Sequence, residues 1–248
     1  MPRTLAIGDI HGCLTALDTL LGFVQPNEED TLVFLGDYVD RGPDTKGVLN
    51  RLIELKNTRR SIFLRGNHEI MMLGAKCGRD DFRFWASFGG LEALESYSKP
   101  GQGVLLESIP YEHWYFLDRT IQEGFETETH IFVHANLHPD RPLREQSTDC
   151  LHWQAISPYV HRPHVSGKTM ICGHTQQREG IPLVLERAIC IDTWAYGDGW
   201  LTCLDVESGT FWQANELGTT RKGLLGFREA FLDDEPKRKP FQTRDCNE

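Results

Sequence analysis

The sequence lacks long hydrophobic runs, an excess of positive charge and any close pairing of cysteines. No apolar stretch approaches the roughly 18 residues that a membrane-spanning helix requires. The first four residues lead directly into a predicted strand, without an apolar stretch of signal-peptide length. We therefore expect a soluble, cytoplasmic protein that does not associate with membranes.

The balance of charge is acidic, since 36 Asp and Glu residues outnumber 26 Lys and Arg residues and give a formal net charge of -10. Proteins that bind nucleic acid through a general basic surface have the opposite balance, so we expect no nucleic-acid partner. A local basic pocket for a phosphate group is compatible with this composition. The sequence does not indicate an oligomeric state.

The seven cysteines are an odd number, and no two of them form a C-x-x-C arrangement. A disulfide framework and a structural zinc site are therefore not expected. Three of the cysteines, Cys172, Cys190 and Cys203, lie within apolar runs, and we predict that they are buried thiols of the core.

Strands and helices are predicted to alternate over the first 75 residues. The predicted strands are 5–7, 31–35 and 61–64, and the predicted helices are 14–24, 44–56 and 68–75. This order indicates a parallel sheet. The middle of the chain (80–119) is aromatic-rich and predicted to be mostly helical, and it either packs in the core or forms a wall over an active site. The second half contains short apolar runs separated by turn residues. These predict six further strands at 131–133, 170–172, 183–185, 189–191, 200–204 and 210–213.

The C-terminal segment differs in composition from the rest of the chain. Residues 218–248 include the dense charged stretch Asp233–Pro240. We predict that this segment is a flexible tail or an arm packed at a sheet edge. Residues 1–217 then form one folded domain.

Four short segments place a metal-binding type of side chain beside a glycine. They are Gly8–Gly12, Gly36–Gly42, Gly66–Glu69 and Gly173–Thr175. Each of the first three follows directly on a short apolar run. Because neighbouring parallel strands end at the same edge of a sheet, we expect the polar side chains of these segments to converge.

The polar residues in these segments, together with one histidine at the end of run 131–133, are of the types that divalent metal ions prefer. The predicted ligands are Asp9, His11, Asp37, Asn67, His134 and His174. Asp9 and His11 stand two residues apart, so both point to the same side of an extended segment. Asp37 has two oxygens and can bridge two ions. Such a set can hold two ions about 3.5–4 Å apart, as in two-metal phosphatases.

The same segments resemble the phosphoprotein phosphatase family of metallophosphoesterases, in particular its compact bacterial and phage members. The family pattern is GDxHG, GDxVDRG and GNHE, followed by a strand-end His and a later Gly-His, and the resemblance extends over about residues 4–215. It implies an α/β fold, a four-layer α/β/β/α sandwich with two mixed β-sheets. It also makes residues 1–217 a calcineurin-like catalytic domain.

The resemblance implies roles for individual residues. One metal ion would be held by Asp9, His11 and Asp37, and a second by Asp37, Asn67, His134 and His174. The expected ions are Mn²⁺, and the same ligands also suit Fe²⁺ or Zn²⁺. His68 would be the general acid, supported by Asp40, while Arg41 and Arg65 would bind phosphate oxygens.

We therefore predict a phosphomonoester hydrolase, similar to protein serine/threonine phosphatases, whose substrates are phosphoproteins or phosphopeptides. A metal-activated hydroxide would attack phosphorus in line, and His68 would protonate the leaving group. The alternative is a hydrolase of symmetrical dinucleoside polyphosphates such as diadenosine tetraphosphate. Those relatives usually lack an acid at the position of Asp40 and carry Asp at the position of Glu69. A nuclease fits the acidic charge less well, and an inactive phosphate-binding scaffold would require a lost ligand.

Three positions depart from the family pattern. Ala135-Asn136 follows the strand-end histidine, where many members have Gly-Gly, and Trp194 replaces the glycine of an Asp-Thr-Gly segment. The central segment Trp153–Ala155 contains no arginine for phosphate, which leaves Arg162 as a candidate. These departures concern the outer pocket rather than the metal ligands.

Overall fold

The computed structural model describes residues 2–98, 103 and 105–226, and these contain seven α-helices and eleven strands. The α-helices are α1 (Leu14–Val24), α2 (Thr45–Thr58), α3 (Asn67–Gly74), α4 (Arg79–Trp85), α5 (Leu91–Glu95), α6 (Tyr111–Tyr115) and α7 (Thr148–His152). The strands are β1 (Thr4–Ile7), β2 (Thr31–Phe34), β3 (Ser61–Phe63), β4 (Phe125–Glu126), β5 (His130–Phe132), β6 (Thr169–Cys172), β7 (Leu183–Leu185), β8 (Ala188–Cys190), β9 (Leu201–Asp205), β10 (Thr210–Ala214) and β11 (Thr220–Leu224). Shorter helical turns lie at Ala86–Gly90, Leu106–Ser108, Phe116–Thr120 and Leu143–Glu145.

The strands form two mixed sheets, which confirms the predicted fold class. The first sheet has the order β11-β10-β9-β1-β2-β3, and the second has the order β4-β5-β6-β8-β7. In the first sheet β1, β2 and β3 are parallel, as the alternation of strands and helices predicted, whereas β9, β10 and β11 are antiparallel. In the second sheet β5, β6 and β8 are parallel, and β4 and β7 are antiparallel edge strands.

Alternating side chains place the two sheets face to face. In β1, Leu5 and Ile7 pack among the helices, whereas Ala6 points to the other side. In β5, Phe132 packs in the same core as Ala6, while Ile131 belongs to the opposite face. Since successive residues of a strand point to opposite faces, the shared core of Ala6 and Phe132 lies between the sheets.

The two outer faces are covered unequally. Helices α1 to α6 contribute to the large core on the outer face of the first sheet. The outer face of the second sheet packs against Leu137, Leu151 and Ile156, which belong to α7 and its flanking segments. The predicted fourth layer is therefore thin, consisting of one five-residue helix, a helical turn and loops.

The first sheet continues past the predicted domain boundary at residue 217. Strand β11 pairs along its whole length with β10, so residues 220–224 belong to the sheet edge. The charged stretch 233–240 and the cysteine at 246 lie outside the described residues. The three cysteines predicted to be core thiols are buried. None of the helices that the structure describes is both long and apolar enough to cross a membrane.

Candidate active site

The metal-binding side chains predicted from the sequence follow the ends of five strands. Asp9 and His11 come after β1, Asp37 after β2 and Asn67 after β3. In the second sheet, the segments after β5 and β6 carry the two further histidines, and the backbone N–H of the second one, at position 174, donates to the carboxylate of Asp9. The loops of both sheets therefore meet at one place.

Backbone strain is concentrated in these loops. Eight non-glycine residues in the described part of the chain have positive φ angles. Six of them belong to this region: His11, Asp37, Asp40, Arg41, His174 and Trp194. The left-handed conformation is sparsely populated by such residues and persists only where the surroundings enforce it. Here it bends each loop sharply, so that side chains distant in sequence converge.

Glycines beside the acids allow this close approach. A Cβ atom on Gly66 would collide with Oδ1 of Asp37, and one on Gly173 would collide with Oδ1 of Asp9. Gly36 has a φ of 102° and lies against the ring of His134. The glycines of the motifs therefore make room for the polar side chains packed around them.

Three histidines each direct one ring nitrogen into the cluster. The other ring nitrogen donates to a backbone carbonyl: Nδ1 of His11 to Val39 (2.9 Å), Nδ1 of His134 to Leu35 (2.9 Å) and Nε2 of His174 to Trp153 (3.1 Å). Burial lowers the pKa of all three, to about 3 for His134 and His174. The rings are therefore neutral at pH 7, and their inward nitrogens are acceptors. This is how metal-binding histidines are oriented.

The inward nitrogens face other acceptors, and that of His11 also accepts from Nη1 of Arg41 at 2.8 Å. Oδ1 of Asn67 lies 3.0 Å from Nε2 of His134 and 3.1 Å from Nδ1 of His174. The carboxylate of Asp37 lies 3.4 Å from Nε2 of His134 and 3.5 Å from Nε2 of His11. Lone pairs that face one another repel, so a cation between them would be strongly stabilised.

Among the described residues, donor atoms of His, Cys, Asp and Glu that lie within 4.8 Å of one another form two groups that share Asp37: one with His11 and His68, the other with His134 and His174. The arrangement fits two divalent ions that share one carboxylate. Burial raises the pKa of Asp37 to about 7, and a bound cation would favour its ionised form.

Asp9 lies beside these two groups rather than within them. Both of its oxygens accept the backbone N–H of His174, at 3.2 and 3.0 Å. Burial raises its pKa well above the usual range, and the charges of Asp192 and Asp37 add to the effect. Its role as a ligand stays a prediction.

The predicted acid pair is formed and buried. Nδ1 of His68 lies 2.7 Å from Oδ2 of Asp40, and the indole N–H of Trp85 donates to both oxygens of Asp40, at 2.8 and 3.0 Å. Nε2 of His68 faces the cluster, 3.9 Å from Oδ2 of Asp37. Burial raises the pKa of Asp40, which the bond from Trp85 opposes, and burial lowers the pKa of His68. The ring of His68 is thereby fixed with one nitrogen free to exchange a proton.

The two predicted phosphate-binding arginines have different surroundings. Nη1 of Arg41 lies 2.8 Å from Nε2 of His11, so its guanidinium points into the cluster. The guanidinium of Arg65 instead donates to Oε1 of Glu123 (3.0 Å) and to the carbonyls of Leu117 and Asp118. The structure therefore brings Arg41 to the cluster but not Arg65. A phosphate contact by Arg65 stays a prediction, and it requires the guanidinium to leave Glu123.

Two departures from the family pattern are Trp194 and the missing central arginine, for which Arg162 is the candidate. Trp194 has a φ of 66°, and the guanidinium of Arg178 lies 5.2 Å from the centre of its ring. Its indole N–H is buried without a hydrogen-bond partner. The candidate Arg162 is instead paired at the surface with Asp140, at 2.9 Å.

One important residue was not assigned a structural role from the sequence. The buried carboxylate of Glu69 accepts the backbone N–H groups of Gly66 (2.8 Å), Asp37 (2.9 Å) and Tyr38 (2.7 Å). It thereby fastens the loop after β2 to the start of α3. The sequence contains a signal for this role, because a glutamate at the third position of a helix commonly accepts the backbone N–H of the residue that precedes the helix.

A second such residue is His152, which is buried between two segments. Its Nδ1 donates to the carbonyl of Arg65 (2.9 Å), and its Nε2 lies 2.6 Å from Oε2 of Glu123. No local pattern marks this histidine, since its partners lie far away in the sequence.

Comparison with known proteins agrees with this geometry. The model of the family described as calcineurin-like phosphoesterase matches residues 2–178. Serine/threonine-protein phosphatase 1 of Salmonella typhimurium is 29% identical over 211 residues, covering 81% of this chain and 90% of that protein. A symmetrical bis(5'-nucleosyl)-tetraphosphatase of Coxiella burnetii is 30% identical over 166 residues, covering 66% of this chain and 51% of that protein. The crystal structure of a cold-active protein-tyrosine phosphatase from a Shewanella species superposes with a TM-score of 0.58 at 16% identity, covering 90% of this chain and 80% of that one.

Proposed function

Since the chain belongs to the calcineurin-like phosphoesterase family of metal-dependent hydrolases, we propose that it removes phosphate from serine and threonine side chains of proteins or peptides. The observation that carries this proposal is the buried pair of His68 and Asp40, whose free nitrogen faces the cluster. A serine or threonine leaves as an alkoxide, which needs a proton. A fixed histidine beside the cluster supplies it.

The extent of the sequence matches supports the same choice. The match to the Salmonella serine/threonine phosphatase extends over nine-tenths of that protein, at 90%. The match to the tetraphosphatase extends over about half of that protein, at 51%. The acidic residue Asp40, bonded to both His68 and Trp85, is also the position at which the dinucleotide hydrolases usually differ.

Each group of the site has a distinct task in this proposal. The metal ions would be held by Asp9, His11, Asp37, Asn67, His134 and His174. When bound, two divalent ions lower the pKa of water and neutralise phosphate oxygens. Arg41 binds a phosphate oxygen through its guanidinium. Nε2 of His68 gives a proton to the leaving oxygen, while Asp40 holds Nδ1–H and stabilises the charged ring.

The test is a parallel assay with Mn²⁺ on phosphoserine, phosphothreonine and phosphotyrosine peptides and on diadenosine tetraphosphate. We expect the largest kcat/KM on a phosphoserine or phosphothreonine peptide. A wide preference for the dinucleotide would replace the proposal by its main alternative, the tetraphosphatase. A preference for phosphotyrosine would retain the reaction but change the substrate class.

A further inference from the structure

The guanidinium of Arg41 is held on the face of an aromatic ring. Its central carbon lies 4.7 Å from the centre of the ring of Tyr196. This is within the distance at which a cation is attracted to the face of an aromatic ring. On the backbone side, Arg41 N–H donates to the carbonyl of Gly89 at 3.1 Å, and a Cβ atom at Gly89 would lie only 2.6 Å from that nitrogen. Nη1 also lies 2.8 Å from Nε2 of His11, the nitrogen that a metal ion would take, and the ring of Tyr196 would still fix the charged end once that nitrogen is taken.

Tyr196 is itself fixed by its neighbours. Its hydroxyl accepts from Nε2 of Gln176 at 2.6 Å. Its ring meets His11 edge to face, with ring centres 5.0 Å apart, and also contacts Trp194 at 6.2 Å. The ring thus contacts both Arg41 and His11, and it neither belongs to the predicted metal ligands nor bonds to His68.

We propose that Tyr196 is a positioning residue, whose ring face holds the guanidinium of Arg41 at the cluster, ready for a phosphate oxygen. The inference rests on the proposed function, in which Arg41 binds phosphate. An arginine has many rotamers, and an unsupported guanidinium loses that freedom when phosphate binds. The ring of Tyr196 restricts the rotamers beforehand, which strengthens phosphate binding without touching the phosphate.

The first test measures KM for a phosphoserine peptide and the inhibition constant of inorganic phosphate. Tyr196→Leu should raise both about 3- to 30-fold, the range expected for a lost contact between a cation and an aromatic face. The value of kcat should change much less. Tyr196→Phe keeps the ring and should behave like the wild type. If Phe is as impaired as Leu, the hydroxyl rather than the ring face is responsible, and the proposal is wrong.

A double-mutant cycle gives the sharper test. In Arg41→Ala, the further change Tyr196→Leu should have no added effect on phosphate inhibition, because the ring then has no guanidinium to hold. Effects that simply add would overturn the proposal. Trp114→Leu is the matched control, because it removes a similar contact in which Nζ of Lys76 lies 4.6 Å from the centre of the Trp114 ring. Neither of these two residues belongs to the cluster. This control should leave both constants unchanged.

Two further measurements distinguish an unfolded variant, a wrong proposed function and a wrong inference about Tyr196. Melting temperatures show whether Tyr196→Leu is folded; if it is not, Tyr196→Met, which keeps much of the side-chain length without the ring, takes its place. If the wild type hydrolyses no phosphate ester, the proposed function fails. Binding of inorganic phosphate, followed by calorimetry with Mn²⁺, then tests the inference alone. Equal phosphate affinity in the wild type and in the variant without the ring would overturn it.

Discussion

Two groups of the same composition lie beside the cluster, and each contains a histidine, an acid and an arginine. In the first, His68 bonds to Asp40 at 2.7 Å, and the next residue is Arg41. In the second, the histidine at position 152 bonds to Glu123 at 2.6 Å, and Arg65 bonds to the same acid at 3.0 Å. The local chemistry is alike, but only the first group has its arginine directed at the cluster.

The difference lies in the partners and the burial of the acid. Asp40 is fully buried and uses its oxygens for His68 and Trp85, so its neighbouring arginine is free to face the cluster. The side chain of Glu123 is 57% exposed and divides its oxygens between His152 and Arg65. The first group therefore directs both a histidine nitrogen and an arginine toward the cluster. The second uses its charges to join segments of the fold.

The pKa values of the acids move in opposite directions. Burial raises the pKa of Asp40 well above its usual range. The hydrogen bond from His152 lowers the pKa of Glu123, and the charge and bond of Arg65 act in the same sense. Burial thus raises the pKa of the acid in the first group, whereas hydrogen bonds and a neighbouring positive charge lower the pKa of the acid in the partly exposed second group.

The largest effect should come from the cluster that both groups border. Removal of divalent ions with a chelator should abolish hydrolysis, because neither group by itself can neutralise a phosphate dianion or activate water. Addition of Mn²⁺ should restore the activity. The measurement is the rate on a phosphopeptide alongside metal analysis. Full activity in protein shown to hold no metal would contradict the metal-dependent scheme.

The next effect distinguishes the two histidines. His68→Asn should lower kcat on a phosphoserine peptide by about 10²–10⁴-fold, the usual contribution of a general acid. The loss should be smaller on p-nitrophenyl phosphate, whose leaving group needs no proton. The control His152→Asn should instead lower the melting temperature and leave the ratio of the two rates unchanged. Equal losses on both substrates for His68→Asn would contradict its role as an acid.

A smaller effect should separate the two arginines. Arg41→Ala should raise KM and the inhibition constant of phosphate about 10- to 100-fold, since it removes a charged hydrogen bond worth roughly 1.5–3 kcal/mol. Arg65→Ala should raise both constants by less than about threefold, because its guanidinium is bonded to Glu123 in a partly exposed ion pair. Equivalent increases would show that Arg65 leaves Glu123 when phosphate binds, as the family resemblance implies.

The smallest effect concerns stability and pH. A carboxyl group whose pKa is lowered on folding stabilises the fold above its ordinary pKa, here 4.5, and this contribution is lost as the pH falls through the lowered value. Glu123→Gln should therefore make the melting temperature depend less on pH between about 5 and 2. Thermal denaturation of both proteins across that range is the measurement. A wild type and variant with parallel curves would show that the pair with His152 contributes nothing in this range.

The residues that could be predicted from the sequence share a local cause. An apolar run followed by glycine and a polar residue marks a strand end, and the order of strands and helices implies that these ends are adjacent. That was enough to predict the parallel strands β1, β2 and β3 and the convergence of Asp37, Asn67 and His134. The pair of His68 and Asp40 followed from the family resemblance, which rests on the same short motifs.

The tertiary structure decided the contacts whose partners lie far apart in the chain. Trp85 bonds to Asp40, Tyr196 carries the guanidinium of Arg41, and Glu123 binds Arg65. The sequence predicted only that the aromatic segment containing Trp85 packs in the core or forms a wall over the active site. Each of these contacts depends on how loops pack across two sheets. Periodicity and short motifs report the conformation of neighbouring residues, whereas the partner of a charged side chain is set by the packing of the whole domain.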